Sequence, residues 1–552
     1  MRQAMFELFK RLQTNSINQI VFYKNNKRQI KTFQDFSVDV DLCIRRINAI
    51  GSEIKNVALL GPISYEWMTL DFACIKGGFV SIAVPETLSS SAINDILFQC
   101  HADLILLDHS YKEKGIGSDL NLPTYYFRCD PNLHESLNFE IIEPLESVED
   151  NSINKIQEIY SIAFSSGTSS NIKQIKVSFD SYEVKPTPWY LKLLLFKKIF
   201  QYKSLISYKR SFWSRLDNKL ILFMPFSHLQ QRLFVHRALF SRINIVLSDS
   251  VNCAKHIIME KPNIMVSVPL IYEILAENIE KKIKQFKGKQ LLFFKLYTVL
   301  GINNYSKSHP INNFFSEYLF KDVRKIYGGK ADYFITGSAP IKKEALEVFH
   351  SVGVKILEAY GQSEIGVISM NSAKHFRLGS VGKPVVKVKI SDQSEILVEY
   401  KESKYKNQKE ILKVNDAGYI HTGDIGYLDN KGFLFVKGRL DDVIVLKNGK
   451  KIFPDAIDLK LTSFDQIKQA VTICKDDKLV AIVSLVSSSS KGDLKGILAT
   501  VNKELQDYSQ IHSYLIVPEL SVENGLLTST FKVKRKEVFT RFREESYEYI
   551  NK

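Results

Sequence analysis

The nine residues Ser165-Ser166-Gly167-Thr168-Ser169-Ser170-Asn171-Ile172-Lys173 have the chemistry of a polyphosphate cradle. Small residues let the backbone approach phosphate oxygens, amides and hydroxyls donate to them, and the Lys173 ammonium supplies compensating charge. Alone such a loop is a weak signal, because Ser/Gly stretches commonly serve as turns. Four further stretches follow it in order: Tyr360-Gly361-Gln362-Ser363-Glu364, His421-Thr422-Gly423-Asp424, Gly438-Arg439-Leu440-Asp441-Asp442, and Asn524-Gly525-Leu526-Leu527-Thr528 with Lys532. Commoner signatures fail. The chain has no G-x-x-x-x-G-K-[ST] and no G-x-G-x-x-G, and Gly361 to Gly366 is no nucleophile elbow because Ile365 stands where glycine is required.

With these five motifs the sequence resembles the AMP-forming acyl and aryl adenylate ligases, the superfamily of acyl-CoA synthetases, luciferases and nonribosomal adenylation domains. The resemblance extends over nearly the whole chain. Pro225-Phe226-Ser227-His228 with Arg232, Val268-Pro269 with Tyr272-Glu273, Gly337-Ser338-Ala339-Pro340 and Gly379-Ser380-Val381-Gly382-Lys383-Pro384 agree with it. The NGLLTSTFKVKRK stretch and the H-x-x-x-R spacing of His228 and Arg232 look most like the long-chain fatty acyl-CoA synthetase branch.

The resemblance implies a two-step reaction using ATP, Mg²⁺ and CoA. A carboxylate attacks the α-phosphate of ATP and releases pyrophosphate; a thiol then attacks the acyl carbon and expels AMP. Carried over by position, Ser165, Ser166, Gly167, Thr168, Ser169 and Lys173 would hold the β- and γ-phosphates. Glu364, with Thr168, would ligate Mg²⁺, a hard cation that favours oxygen. Asp424 would accept both ribose hydroxyls with Arg439 beside it, Gly337, Ser338, Ala339, Pro340, Tyr360 and Gly361 would wall the adenine, and Ser363 would lie at the α-phosphate. Lys532 would bridge the incoming carboxylate and the α-phosphate, although its neighbours Lys534, Arg535 and Lys536 also read as a basic helix start. His228 would lie near the acyl pocket, against the plainer reading of a core histidine. Asp441 would be the hinge, or simply a turn residue. Where the family loop usually has glycine, proline and glycine, this chain has Ser170, Ile172 and Gln174, so its phosphate grip is expected to differ.

These residues need a scaffold. Short apolar runs (NVALLG, GFVSIAVP, LILLD, and later YFITGSAP and VKILEAYG) alternate with an amphipathic stretch around Tyr65 to Lys76 and helical stretches at Ser90 to Cys100 and Lys342 to Ser351. That alternation predicts an α/β fold with doubly wound parallel sheets. The expected large unit spans 1–437. From 438 to 552 the texture changes to a smaller α+β unit, opened by a hairpin at Asn448-Gly449.

At 552 residues, 45% hydrophobic and 24% charged, the composition is that of a folded protein. Six scattered cysteines without a C-x-x-C pair fit a reducing compartment, and the N-terminus has no secretory h-region. No run of apolar residues is long enough to span a bilayer. A cytoplasmic location is expected. The formal charge of +15 favours anionic partners, while the lack of zinc-finger spacing or an RNA-recognition signature argues against a nucleic-acid reader. Residues 184–216 hold eight basic residues, eight aromatics and no acidic residue, a composition suited to peripheral contact with an anionic membrane. Two alternatives to a CoA ligase remain: loading of a fatty acid onto a carrier protein's phosphopantetheine, and a non-catalytic lipid or nucleotide sensor.

Overall fold

The computed structural model describes residues 2–114, 116, 122–127, 158–164, 173–178, 218–299, 320–330, 333–372, 375–487, 492–522, 524–528 and 532–550. Most of the loop that begins at Ser165, through Ile172, and the basic aromatic segment 184–216 lie outside them, as does Cys129.

Two parallel sheets with antiparallel edges form the bulk of the molecule. The first has six strands in the order Thr124–Phe127, Leu104–Asp108, Asn56–Leu60, Val80–Ala83, Ile159–Phe164 and Gln174–Ser178, only the last pair being antiparallel. Its central runs, such as Leu104–Asp108, are buried along their whole length, as expected for strands covered on both faces. The second has nine strands, with a parallel centre from Ile356–Gln362 through Tyr333–Thr336, Ile264–Ser267, Lys219–Leu222 and Asn244–Leu247 to Gln19–Lys24. The helical stretches fall where the periodicity places them. Ser64 and Ser89 cap the helices Tyr65–Gly77 and Ser90–Gln99 by accepting from the amides of Trp67 (3.1 Å) and Ala92 (3.3 Å).

One core lies between the sheets. It takes Val57, Leu59 and Ala163 from the first, Leu220 and Leu222 from the second, and Trp67, Phe72, Val235 and Leu239 from helices between them. The helix Tyr65–Gly77 differs from expectation: it is buried from Tyr65 to Lys76 rather than amphipathic. Its charges are neutralised inside the protein instead of by water, Lys76 by Asp41 at 2.5 Å and Asp71 by Arg232.

A four-stranded antiparallel sheet, Val388–Ile390, Glu395–Glu399, Tyr419–Leu428 and Leu434–Arg439, follows. Beyond it, Ile444–Val445 and Lys451–Ile452 pair around the expected turn, where Gly449 sits at φ +78° and its N–H donates to the Leu446 carbonyl at 2.8 Å. The last sheet, from Ile467–Lys475 to Glu548–Tyr549, carries two cores drawn only from residues 444–550. No helix among the described residues is long and apolar enough to cross a membrane.

Candidate active site

The two chain segments that lead into the site end in close backbone approaches. A Cβ on Gly337, just after the strand Tyr333–Thr336, would lie 2.8 Å from the Ala359 carbonyl oxygen, so glycine lets the Gly337–Pro340 turn press against the strand that carries Tyr360. Ser338 next to it adopts φ +73°, a left-handed conformation that a side-chain-bearing residue takes only where its surroundings hold it there. A Cβ on Gly361 would meet the Gly366 carbonyl at 2.4 Å, and the ladder shifts register between Tyr360 and Gly361. That tight turn presents Ser363 and Glu364 at its tip while Ile365, 2% exposed, anchors it.

All five motifs contribute described residues, and four of them meet at two places. Asp424 and Arg439 face each other across the antiparallel strands Tyr419–Leu428 and Leu434–Arg439. Oδ2 of Asp424 accepts from the Tyr360 hydroxyl at 2.6 Å and from Nε2 of Gln362 at 2.7 Å, while Oδ1 lies 3.5 Å from Nε of Arg439. That Nε is buried and makes no hydrogen bond among the described residues. A buried donor without a partner is costly, and an incoming oxygen acceptor would remove the cost. Burial and the adjacent Asp424 carboxylate push the Tyr360 phenol well up, so it keeps its proton and donates. Glu395 supports the turn from behind, its two oxygens accepting from the Gly423 amide (2.9 Å) and facing Nδ1 of His421 (2.8 Å).

The second meeting joins the sheets. Lys173, just before the edge strand of the six-stranded sheet, places its Nζ 3.9 Å from Oε1 of Glu364, which stands on a turn of the nine-stranded sheet. At that separation the pair attracts without a hydrogen bond, leaving the carboxylate oxygens able to take another cation. A half-buried carboxylate that makes no hydrogen bond to the lysine suits Mg²⁺, which binds through one or two carboxylates plus phosphate oxygens rather than in an all-protein cage. No cluster of three or more metal-binding side chains occurs among the described residues.

Lys532 stands on a hairpin. Its backbone N–H donates to Oγ1 of Thr528 (3.0 Å), its carbonyl accepts from the Thr528 amide (2.8 Å), and the Lys534 amide donates to the Leu526 carbonyl (2.9 Å). Its ammonium makes no ion pair among the described residues. Lys532 precedes the helix Arg535–Phe542 rather than belonging to it. Asp441 lies in a single 3-10 turn, Leu440–Asp442, directly after the strand that ends at Arg439.

His228 heads the helix Leu229–Ser241, its amide donating to the Pro225 carbonyl at 3.1 Å. Burial lowers its pKa to about 4, so it is neutral at physiological pH. Arg232, one turn on, is a buried strut rather than a site residue. Its guanidinium binds Asp71 with Nε 3.0 Å from Oδ2 and Nη2 on Oδ1, and donates to Ser161 (2.7 Å) and Ser81 (2.8 Å). Ser161 belongs to the strand Ile159–Phe164 that feeds the hydroxyl-rich loop, so Arg232 ties that strand to the helix headed by His228.

Three residues with no assigned role enter here. Gln362 lay inside a quoted motif, and its position two residues after Tyr360 on one strand face was the available signal. Glu395 and Glu358 had none. Glu358 lies two residues before Tyr360 and accepts from the Gly379 amide, yet its Oε2 is buried without a partner. Burial raises its pKa to about 8. The folded protein therefore keeps a proton that the unfolded chain releases near pH 4.5, so this contribution to stability is full below pH 4.5 and is lost as pH rises through about 8. The variant E358Q should abolish that loss: urea unfolding at pH 5 and pH 9 is expected to show it gaining on the wild type by on the order of 2 to 4 kcal/mol. Equal shifts in both proteins would mean that Glu358 is ionised throughout.

The chain belongs to the family of AMP-binding enzymes, whose pattern it matches over residues 9–402. Among its relatives, the long-chain-fatty-acid–CoA ligase FadD15 of Mycobacterium bovis is 23% identical over 550 residues, covering 90% of this chain and 88% of that one. Long-chain-fatty-acid–CoA ligase 5 of Mus musculus is 25% identical over 91% of this chain and 81% of its own. In three dimensions the protein is similar to the o-succinylbenzoate coenzyme A synthetase of Bacillus subtilis in complex with AMP (TM-score 0.68, 18% identity, 98% of each chain). It is also similar to the adenylation domain of a carboxylate reductase from Mycobacterium chelonae (TM-score 0.72, 16% identity, 98% of this chain and 90% of that one). At such identities the solved structures establish the fold.

Proposed function

We propose that the protein is an ATP-dependent, AMP-forming ligase that activates a long-chain fatty acid as its acyl-adenylate and transfers the acyl group to CoA. The observation that carries this reading is the convergence on Asp424 of Tyr360, Gln362 and the Arg439 Nε, which lies 3.5 Å from Oδ1 without a hydrogen bond. A fixed carboxylate beside an unsatisfied cationic donor suits a ribose diol and its phosphate. The chain-wide likeness to fatty acid–CoA ligases supports the substrate class.

In the first step a carboxylate oxygen of the acid bonds to the α-phosphorus while the bond from that phosphorus to the bridging oxygen breaks, and pyrophosphate departs. Negative oxygens crowd together in this transition state, so pre-placed cations lower its energy. Lys173 and the residues Ser165 to Ser169 would hold the departing phosphates, and Lys532 would neutralise the attacking carboxylate and the α-phosphate together. Mg²⁺, held by Glu364 and Thr168, would supply charge neutralisation on the phosphates. In the second step a thiolate sulfur bonds to the acyl carbon and AMP leaves with the bonding electrons. The small unit, 438–552, would turn about Asp441 between the steps, withdrawing Lys532 and admitting the thiol. His228, uncharged, would line the acyl end without repelling or attracting the carboxylate strongly. Peripheral contact with an anionic membrane through 184–216 is part of the proposal and rests on composition.

The test is exchange of labelled pyrophosphate into ATP across acids from acetate to long fatty and aryl acids, followed by thioester formation with free CoA and with a phosphopantetheinylated carrier. Exchange driven by long-chain acids, and thioester formed on free CoA, is the expected pattern. Exchange without CoA thioester would transfer the assignment to carrier loading. No exchange with any acid would leave a nucleotide or lipid sensor.

A further inference from the structure

The small unit contains a charged knot that none of the five motifs includes. Arg535, 13% exposed at its side chain, places Nη2 2.5 Å from Oδ1 of Asp455 and 2.8 Å from Oδ2 of Asp458, and donates through Nη1 to the Thr472 carbonyl at 2.7 Å. The other oxygen of Asp458 accepts the Thr472 amide at 2.6 Å. One guanidinium thus joins three pieces of chain: the start of its own helix, the helix Pro454–Leu461 and the strand Ile467–Lys475. A planar, multiply bonded guanidinium fixes direction as well as distance, which a single ammonium contact does not.

Two features place this knot between the hinge and the lysine. Arg535 follows Lys532 by three residues, and the intervening Val533 pairs back onto Leu527. On the other side, Oδ2 of Asp455 lies 3.4 Å from where a Cβ on Gly438 would stand, and the Asp442 carboxylate adds to the field that favours the Arg535 cation. The lysine-bearing hairpin is therefore tied, through one side chain, to the helix Pro454–Leu461, whose first turn lies beside Gly438 at the start of the segment that contains Asp441.

We propose that Arg535 is a positioning residue for adenylation: by gripping Asp455, Asp458 and the Thr472 carbonyl it holds the hairpin that presents Lys532 in a fixed relation to the hinge segment. This rests on the reading of Lys532 given above. Lys532 acts only in the first step, so the knot serves that step and not thioester formation.

The experiment measures the half-reactions separately in the full-length protein: pyrophosphate release from ATP and fatty acid, and conversion of pre-formed acyl-adenylate with CoA to thioester. In R535M the kcat of the first is expected to fall tenfold to a hundredfold, with KM for ATP and acid changed less than threefold and the second half-reaction changed less than threefold. R535K, able to reach one carboxylate only, should recover part of the loss. Equal losses in both half-reactions, or an unaffected first step, would overturn the proposal. K532A is the reference: if it leaves the first step intact, the reading of Lys532 fails, whereas loss in K532A with none in R535M rejects the role of Arg535 alone. Should R535M not fold, D455N keeps the Asp458 and Thr472 contacts and is expected to lower the first step twofold to fivefold; no change in it would count against the proposal.

Discussion

In K532A, formation of acyl-adenylate is expected to fall about 10² to 10³-fold, equivalent to about 3 to 4 kcal/mol of lost transition-state stabilisation. Conversion of supplied acyl-adenylate to thioester should change less than threefold. The argument is electrostatic. Two anions must come within bonding distance, and a cation placed between them beforehand spares the cost of gathering one at the moment of reaction. Lys532 is suited to this because its hairpin is fixed by backbone hydrogen bonds on both strands while its ammonium is unpaired among the described residues. Rates for the two half-reactions under single-turnover conditions check it. Wild-type adenylation in K532A would remove Lys532 from the chemistry.

Removing the Arg232 guanidinium should have the largest effect on stability. R232M leaves Asp71, at a side-chain exposure of 3%, as a buried carboxylate whose cation is gone, and strips a donor from Ser161. Breaking one side of such a buried pair costs about 3 to 5 kcal/mol, whereas replacing both partners by apolar groups is often near neutral. The double variant R232M/D71L is therefore expected to recover at least half of the loss. Urea unfolding followed by tryptophan emission suits the measurement, because the guanidinium carbon lies 5.6 Å from the ring centroid of buried Trp67. A loss below about 1 kcal/mol would place the pair among ordinary surface contacts in energy.

These expectations show where sequence reading succeeds. Strands such as Asn56–Leu60 and Leu104–Asp108 were legible because unbroken apolar runs bounded by turn residues have few other uses. The turn at Asn448-Gly449 was legible from two residues, since the left-handed backbone it needs selects glycine. The motif around Asp424 was legible from residue type and order. Its supports were not: Glu395 reaches Gly423 and His421 from a neighbouring strand, and such a partner depends on register, which no local pattern encodes. The same holds for Arg232. Its spacing from His228 reads as a shared site, yet the contact that defines it is with Asp71, 161 residues away. The burial of the helix Tyr65–Gly77 is illegible for the same reason, because Asp71 and Lys76 look solvated until their distant partners are known.

The aspartate that closes on the Arg439 side of the site cannot turn. Tyr360 and Gln362 seize the same oxygen, and its own amide is pinned to the Thr422 hydroxyl at 3.1 Å. A guest that docks there meets a receptor whose torsional freedom was surrendered when the chain folded, so little disorder remains to be extinguished on arrival. On the proposed reading, selectivity at that spot would be a matter of shape: molecules whose paired hydroxyls match a frozen carboxylate would be retained, and those that require it to swing aside refused.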